Sequence, residues 1–196
     1  MAAGLNGIEA VVIGASAGGV EAVSRLLVAL PADALAAIFI VLHLPRERPS
    51  LLASIFQSKC ALPVQEAEDK EPVLPGRVIV APPDYHLLID EGPCVALSSD
   101  EPVNYSRPAI DVLFESAADT YGHRLIGIVL TGGNHDGAAG LEAIVKAGGR
   151  AVVQHPDSAQ VSLMPASAIA RNAASEVLDL DGIAALLASL PAGRSG

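Results

Sequence analysis

The segment Val11-Val12-Ile13-Gly14-Ala15-Ser16-Ala17-Gly18-Gly19 constrains the fold more than any other. An apolar run with strand character stops at a serine set among small residues. An apolar-periodic segment follows at Val20, Val23, Leu26, Leu27 and Leu30. This pattern predicts a strand, a tight turn and a helix. It puts Ser16 at the carboxyl end of a strand and the amino end of a helix. Glycine reaches backbone angles closed to other residues, so the turn can be sharp and leave the hydroxyl accessible. Free N–H groups at a helix start stabilise negative charge. A nucleophilic serine needs both features, and Gly14-Ala15-Ser16-Ala17-Gly18 fits the G-x-S-x-G elbow in its strand–turn–helix context. Taken alone, a serine here is more often a turn or N-cap residue.

The same alternation continues along the chain. Ala10–Gly14, Ala37–Leu42, Val78–Ala81, Leu125–Leu130, Ala151–Gln154 and Glu176–Leu178 read as strands. Val20–Leu30, Ser50–Lys59 (with Pro49 and Ser50 as start signals), Ala109–Tyr121, Gly137–Ala147, Pro165–Asn172 and Ile183–Leu190 read as helices. His86–Ile89 and Cys94–Leu97 flank Asp90-Glu91-Gly92-Pro93 and read as a hairpin. Continuous apolar strands alternating with helices predict a three-layer, Rossmann-like α/β domain, with a mostly parallel, doubly wound sheet covered on both faces. The hairpin adds an antiparallel part. No linker or internal repeat interrupts the 196 residues, so one domain is expected, with its core at about 8–190.

Composition narrows the function. Hydrophobic residues make up 51% and charged residues 17%, which argues against disorder. The formal net charge of −10, without a basic cluster, argues against nucleic-acid and anionic-membrane binding. Cys60 and Cys94 have no metal-like spacing and are expected to be reduced, in the cytoplasm. The longest apolar stretches, such as Ala34 to Leu44, are too short to span a bilayer, and the N-terminus lacks the pattern of a signal peptide. The tail from Pro191 to Gly196 is expected to fray.

In sheets of this kind the ligand crevice lies at the carboxyl ends of the strands. Three predicted strands end in reactive residues: Ser16, His43 in Val41-Leu42-His43-Leu44-Pro45, and Asp136 in Thr131-Gly132-Gly133-Asn134-His135-Asp136-Gly137. Serine, histidine and aspartate at one sheet edge can form a hydrolytic triad. Ser16 would attack an acyl carbon, His43 would take and return the proton, and Asp136 would hold the imidazole. N–H groups near Ala17 and in the Gly132–Asn134 loop would form the oxyanion hole. The order Ser, His, Asp and the single strand before the serine both differ from an α/β-hydrolase. Asp136 is also read as the N-cap of the helix after Gly137.

These residues resemble the catalytic domain of the CheB-type protein-glutamate methylesterases of bacterial chemotaxis. The matching pieces are Ile13–Gly19, Leu42-His43-Leu44-Pro45, Val80-Ala81-Pro82-Pro83-Asp84-Tyr85-His86, Arg107-Pro108-Ala109-Ile110-Asp111-Val112-Leu113-Phe114, Leu130-Thr131-Gly132 with Asp136-Gly137-Ala138, and Met164-Pro165. They occur in the family's order over roughly residues 8 to 190. The resemblance implies that Ser16, His43 and Asp136 are the triad. It implies hydrolysis of glutamate γ-methyl esters on the cytoplasmic helices of methylated chemoreceptors, with glutamine deamidation as a second reaction, and no metal or organic cofactor. The family usually has Thr where this chain has Ala17, and Met and Gly where it has Gly133 and Asn134. Chemotaxis members usually carry an N-terminal phosphorylation-receiver domain. This chain starts just before the first catalytic strand, so a regulator acting in trans is one expectation.

Other readings stay open. Arg107 either helps to dock substrate or anchors the helix starting near Pro108. His86 and Asp84 are read as hairpin-turn residues that could also line the crevice. Met164-Pro165 is read as packing and a helix start. His135 with His155 or His43 fits no metal signature. Glu66, Glu68, Asp69 and Glu71 are read as a solvated loop. The competing functions are a catalytically weak binding or regulatory module, motivated by Ala17, Gly133 and Asn134, and a nucleotide-binding protein. The second is weakened because position 16 breaks G-x-G-x-x-G and because the second strand ends in His43 rather than an acid.

Overall fold

The structure is a computed structural model and describes residues 5–43, 51–171 and 173–193. Seven strands form one sheet: β1 (Ala10–Ala15), β2 (Ala37–Leu42), β3 (Val64–Glu66), β4 (Val78–Val80), β7 (Leu125–Val129), β8 (Arg150–Gln154) and β9 (Glu176–Leu178). Their order is β3-β4-β2-β1-β7-β8-β9, and every pairing is parallel. The predicted hairpin, β5 (His86–Asp90) and β6 (Cys94–Ser98), stands apart as a two-stranded antiparallel sheet.

β1 shows why the strands are continuously apolar. All six of its residues are buried. Val11, Ile13 and Ala15 belong to the core on one face, Ala10 and Val12 to the core on the other. Side chains alternate across a strand, so a central strand with helices on both faces needs apolar residues at every position. The first core receives α1 (Gly19–Val28) through Val23, Leu26 and Leu27, and α6 (Leu180–Ala188) through Ile183 and Leu187. α2 (Leu52–Gln57) adds Leu52 and Phe56 to it. The second core receives α3 (Ile110–Tyr121), α4 (Ala138–Lys146), α5 (Leu163–Ala170) and the hairpin.

The strand order places the switch point of the sheet. From β1 the chain winds outward through β2 and β4. It then returns to β7 on the opposite side of β1 and winds outward again through β8 and β9. The crevice expected of such a sheet lies at the carboxyl ends of β1 and its two neighbours, β2 and β7. These are the strands followed by Ser16, His43 and the Thr131–Gly137 loop.

Two sequence expectations need correction. Val64–Glu66 is an edge strand, β3, where none was expected: three residues with half-buried and exposed side chains carry too little periodicity to announce it. The acidic stretch after it is tied down rather than free. Asp69 accepts the Leu97 N–H (3.0 Å), Lys70 N–H donates to Val95 O (2.8 Å), and Glu71 accepts from the Gln65 amide (2.5 Å) and the Glu68 N–H (2.9 Å). Leu44-Pro45, the start signals Pro49 and Ser50, Asn172 and the tail from Arg194 lie outside the described residues.

Candidate active site

Ser16 follows β1 directly, and its turn is set by Gly18, which takes the left-handed conformation (φ 78°) as N-cap of α1. That conformation suits glycine and strains other residues. Ser16 O accepts the Gly19 N–H (2.8 Å), closing the turn. The side-chain hydroxyl is therefore not the N-cap that an isolated serine would suggest; no side-chain cap bond is made there. The three strand ends are stitched together by backbone bonds, Ser16 N–H to Thr131 O (3.0 Å) and His43 N–H to Ala15 O (3.1 Å). Ser16 and His43 line one open depression of about 500 Å3 with Ala17, Gly18 and Glu21.

His43 Nε2 lies 2.8 Å from Asp136 Oδ2. Asp136 is fully buried and crowded with donors. Oδ2 also accepts Ile110 N–H (2.6 Å), while Oδ1 accepts the N–H groups of Asp111 (3.0 Å) and Gly137 (3.1 Å) and the Asn104 amide (2.9 Å). Burial pushes this carboxyl upward, but the donors from His43, Ile110, Asp111 and Asn104 outweigh it and hold it below the ordinary carboxylate range. Asp136 is thus an ionised acceptor, and Nε2 of the imidazole carries the proton it receives. The other ring nitrogen, Nδ1, faces the Asn134 amide nitrogen at 3.3 Å.

The expected capping role of Asp136 is corrected. Gly137 (φ 95°) is the N-cap of α4 and makes no side-chain cap bond. Asp136 instead caps α3, through Ile110 and Asp111. The start of α4 is served by Asp111, whose Oδ1 accepts Gly137 N–H (2.9 Å) and Gly140 N–H (2.7 Å). Burial raises the Asp111 pKa. The Gly140 N–H opposes that rise, the Asp136 charge adds to it, and Asn104 and Gly137 N–H pull the other way.

The expected oxyanion donors divide. Gly132 N–H is taken by Val161 O (3.0 Å), which removes it from the set. Ala17 and Gly133 are both exposed, and among the described residues no acceptor meets their N–H groups. Ala17 O accepts the Thr131 hydroxyl (2.8 Å), which fixes the peptide next to Ser16. Arg107 does not line the depression at Ser16. Its Nε and Nη2 donate to Asp84 (3.1 and 2.8 Å), and Nη1 donates to Ser99 O (2.8 Å) and Asp100 O (3.0 Å). His86 is buried: Nδ1 accepts Ala109 N–H (3.2 Å) and Nε2 faces Glu101 O (3.1 Å), so it pins the hairpin to the start of α3. His135 is exposed.

Sequence reasoning missed Asn104 and Asp111 as parts of this centre. Asn104 takes a left-handed backbone (φ 50°), and its amide bridges Asp111 Oδ2 (2.8 Å) and Asp136 Oδ1 (2.9 Å). The sequence offered one hint, an acid in the first turn of a predicted helix, which reads as ordinary dipole compensation.

Fold and site together define a doubly wound α/β protein whose candidate centre gathers a serine, a histidine and a buried, ionised aspartate at the switch point of the sheet. The chain belongs to the CheB methylesterase family, whose description matches residues 11–187. It is 46% identical over 182 residues to a Leptospira interrogans protein, covering 93% of this chain and 94% of that one. It is 44% identical over 177 residues to the protein-glutamate methylesterase/protein-glutamine glutaminase of Bordetella parapertussis, covering 88% of this chain and 50% of that protein. The chain thus spans about half the length of the Bordetella relative and nearly all of the Leptospira one. Among solved structures it resembles the Thermotoga maritima CheB methylesterase catalytic domain, with a TM-score of 0.87 and 34% identity over 92% of this chain and 97% of that one. Among the described residues no helix is long and apolar enough to cross a membrane.

Proposed function

We propose that this chain is a serine hydrolase that demethylates glutamate γ-methyl esters on the cytoplasmic helices of chemoreceptor-like proteins, and that it also deamidates glutamine there. The observation that carries the proposal is the bond between His43 Nε2 and the buried Asp136 carboxylate, with Ser16 on the adjoining strand end and the same depression. Membership of the CheB methylesterase family supports the substrate class.

With Nε2–H donating to Asp136, Nδ1 is the basic nitrogen. Ser16 Oγ attacks the ester carbon and its proton passes to His43 Nδ1. The N–H groups of Ala17 and Gly133 face the developing oxyanion. His43 returns the proton to the departing methoxide, releasing methanol. Water then attacks the acyl-serine by the same route in reverse and frees the glutamate carboxylate and Ser16. For glutamine the leaving group is ammonia. Asp136 stays ionised throughout and stabilises the imidazolium.

The test is methanol release from a methylated receptor fragment. Ser16→Ala, His43→Gln and Asp136→Asn should each lose most of the activity, because triad members act as a unit. Full turnover in folded Ser16→Ala overturns the proposal.

A further inference from the structure

We propose that Asn134 is a positioning residue for the base. Its amide fixes the imidazole of His43 in one tautomer and caps the nitrogen that must take the serine proton, so Ser16 is activated only when that amide is displaced. The inference rests on the reading of Ser16 and His43 as nucleophile and base.

The orientation of the Asn134 amide follows from its own partners. Asp136 N–H donates to Asn134 Oδ1 (3.1 Å), so the oxygen is committed and the NH2 group is the end that faces the ring. An amide nitrogen donates and does not accept. At 3.3 Å it therefore meets a lone pair on His43 Nδ1. Asp136 Oδ2 meets Nε2 on the other side of the ring at 2.8 Å, and a carboxylate only accepts. Both contacts select the neutral tautomer with its proton on Nε2. They come from two residues of one short loop, themselves joined by the Asp136 N–H bond.

The same contact opposes the chemical step. When Nδ1 takes the serine proton, its new N–H points at the N–H of Asn134, and the amide must turn away. The bond at Nδ1 lies at the long end of the hydrogen-bond range, whereas the one at Nε2 is short. The cap is the partner that yields, and the carboxylate is the one that stays. Asn134 is half-buried and Gly133 before it is exposed, so the amide can swing toward the depression.

The experiment labels Ser16 with an alkyl fluorophosphonate. The serine oxygen bonds to phosphorus, the P–F bond breaks, fluoride leaves, and the hydroxyl proton passes to His43. Asn134→Ala removes the cap and should accelerate labelling about 2- to 10-fold, the worth of one neutral hydrogen bond. Asn134→Asp keeps the acceptor for Asp136 N–H but turns a second carboxylate toward Nδ1, which holds the ring protonated and should slow labelling about tenfold or more. A residue that only shapes the loop predicts the opposite pattern, with Asp close to wild type and Ala slower. Ring 15N shifts of His43 at one fixed pH, in the wild type and in Ser16→Ala, give a readout independent of labelling. The expected result is Nδ1 unprotonated in both and protonated in Asn134→Asp. A protonated Nδ1 in the wild type, or labelling of Asn134→Ala no faster than wild type, overturns the inference and leaves the hydrolase reading standing. Absence of labelling in every variant overturns the hydrolase reading, and this inference with it.

Discussion

Asp136 and Asp111 cap each other's helices. Asp136, two residues before α4, accepts the N–H groups of Ile110 and Asp111 at the start of α3; Asp111, in the first turn of α3, accepts those of Gly137 and Gly140 at the start of α4. A helix start carries unsatisfied donors and the positive end of the dipole. The loop carboxylate of Asp136 is therefore held at the start of α3, and the α3 carboxylate of Asp111 at the start of α4. The exchange locks α3 against α4 at the point where Asp136 meets His43, so the direction of the Asp136 carboxylate is set by a helix 25 residues earlier in the chain. The Asn104 amide spans both acids and keeps two buried negative charges apart with a shared donor.

The two acids give opposite pH signatures. The Asp136 pKa is lowered in the folded protein, so its stabilisation is complete above the unfolded value of about 3.9 and is lost as pH falls through the folded value. The Asp111 pKa is raised by burial, so its relative stabilisation is complete below the unfolded value and is lost as pH rises through the folded one. At pH 7, Asp136→Asn should destabilise by about 2–4 kcal/mol, since it turns an NH2 group toward buried donors. That deficit should shrink on acidification. For Asp111→Asn, stability relative to wild type should instead fall as the pH is lowered. Denaturant titrations from pH 7 down to about pH 2 measure both slopes, the Asp111 one above the unfolded carboxylate value and the Asp136 one below it, and slopes of the same sign contradict opposite shifts.

The sequence made the sheet legible because its central strands are buried on both faces. Val11–Ile13 and Ile38–Val41 are apolar at every position, and the boundaries read for β2 and β9 match the structure. The residues at the strand ends were legible because a doubly wound sheet puts its reactive groups there. What was not legible depends on contacts distant in sequence. Asn104 lies 32 residues from Asp136 and its role exists only once α3 is docked; Arg107 reaches 23 residues back to Asp84. A three-residue edge strand such as β3 has no periodicity to read. The choice of ring nitrogen on His43 has no sequence signature at all: it follows from where Asp136 and Asn134 stand around the ring.

Gly132 and Gly133 should respond differently to added side chains. A Cβ at Gly132 would lie 2.5 Å from Met164 Cε and 2.8 Å from its Sδ, so the buried Met164 would have to shift. A Cβ at Gly133 would meet only Val161 Cγ1, at 3.9 Å. Gly132→Ala should cost about 1–3 kcal/mol of stability. Gly133→Met, which restores the side chain common in the family, should stay within about 0.5 kcal/mol of wild type. Thermal unfolding of the two variants decides the matter, and a Gly133→Met protein as unstable as Gly132→Ala would contradict it.

Asn104 combines a strained backbone with a bridging amide, and two substitutions separate these. Asn104→Ala loses the amide and keeps the left-handed conformation, which should cost about 2–4 kcal/mol. Asn104→Gly relieves the backbone and recovers about 1 kcal/mol of that, but leaves both carboxylates without their shared donor. If Asn104 acts by orienting Asp136, both variants should lose kcat several-fold with little change in KM, because the residue does not line the depression at Ser16. Recovery of full kcat in Asn104→Gly would mean that only the backbone matters.

Arg107 makes four hydrogen bonds, to Asp84, Ser99 and Asp100, and its side chain is 18% exposed. It joins the turn before β5, the segment after β6 and the approach to α3, which argues for anchoring over substrate docking. The planar guanidinium reaches all these acceptors at once; a lysine ammonium is a single point donor and cannot. Asp84 is half-exposed, so solvent screening limits the value of the ion pair, and the loss in Arg107→Ala or Arg107→Lys should be about 1–2 kcal/mol. For a chain of this length that lowers Tm by about 2–4 °C per kcal/mol. An anchor predicts the Tm loss in both variants, with KM for a methylated receptor fragment unchanged. A docking residue predicts an unchanged Tm and a raised KM, partly restored by lysine because the charge is kept. Measuring Tm and KM on the same two proteins separates the roles.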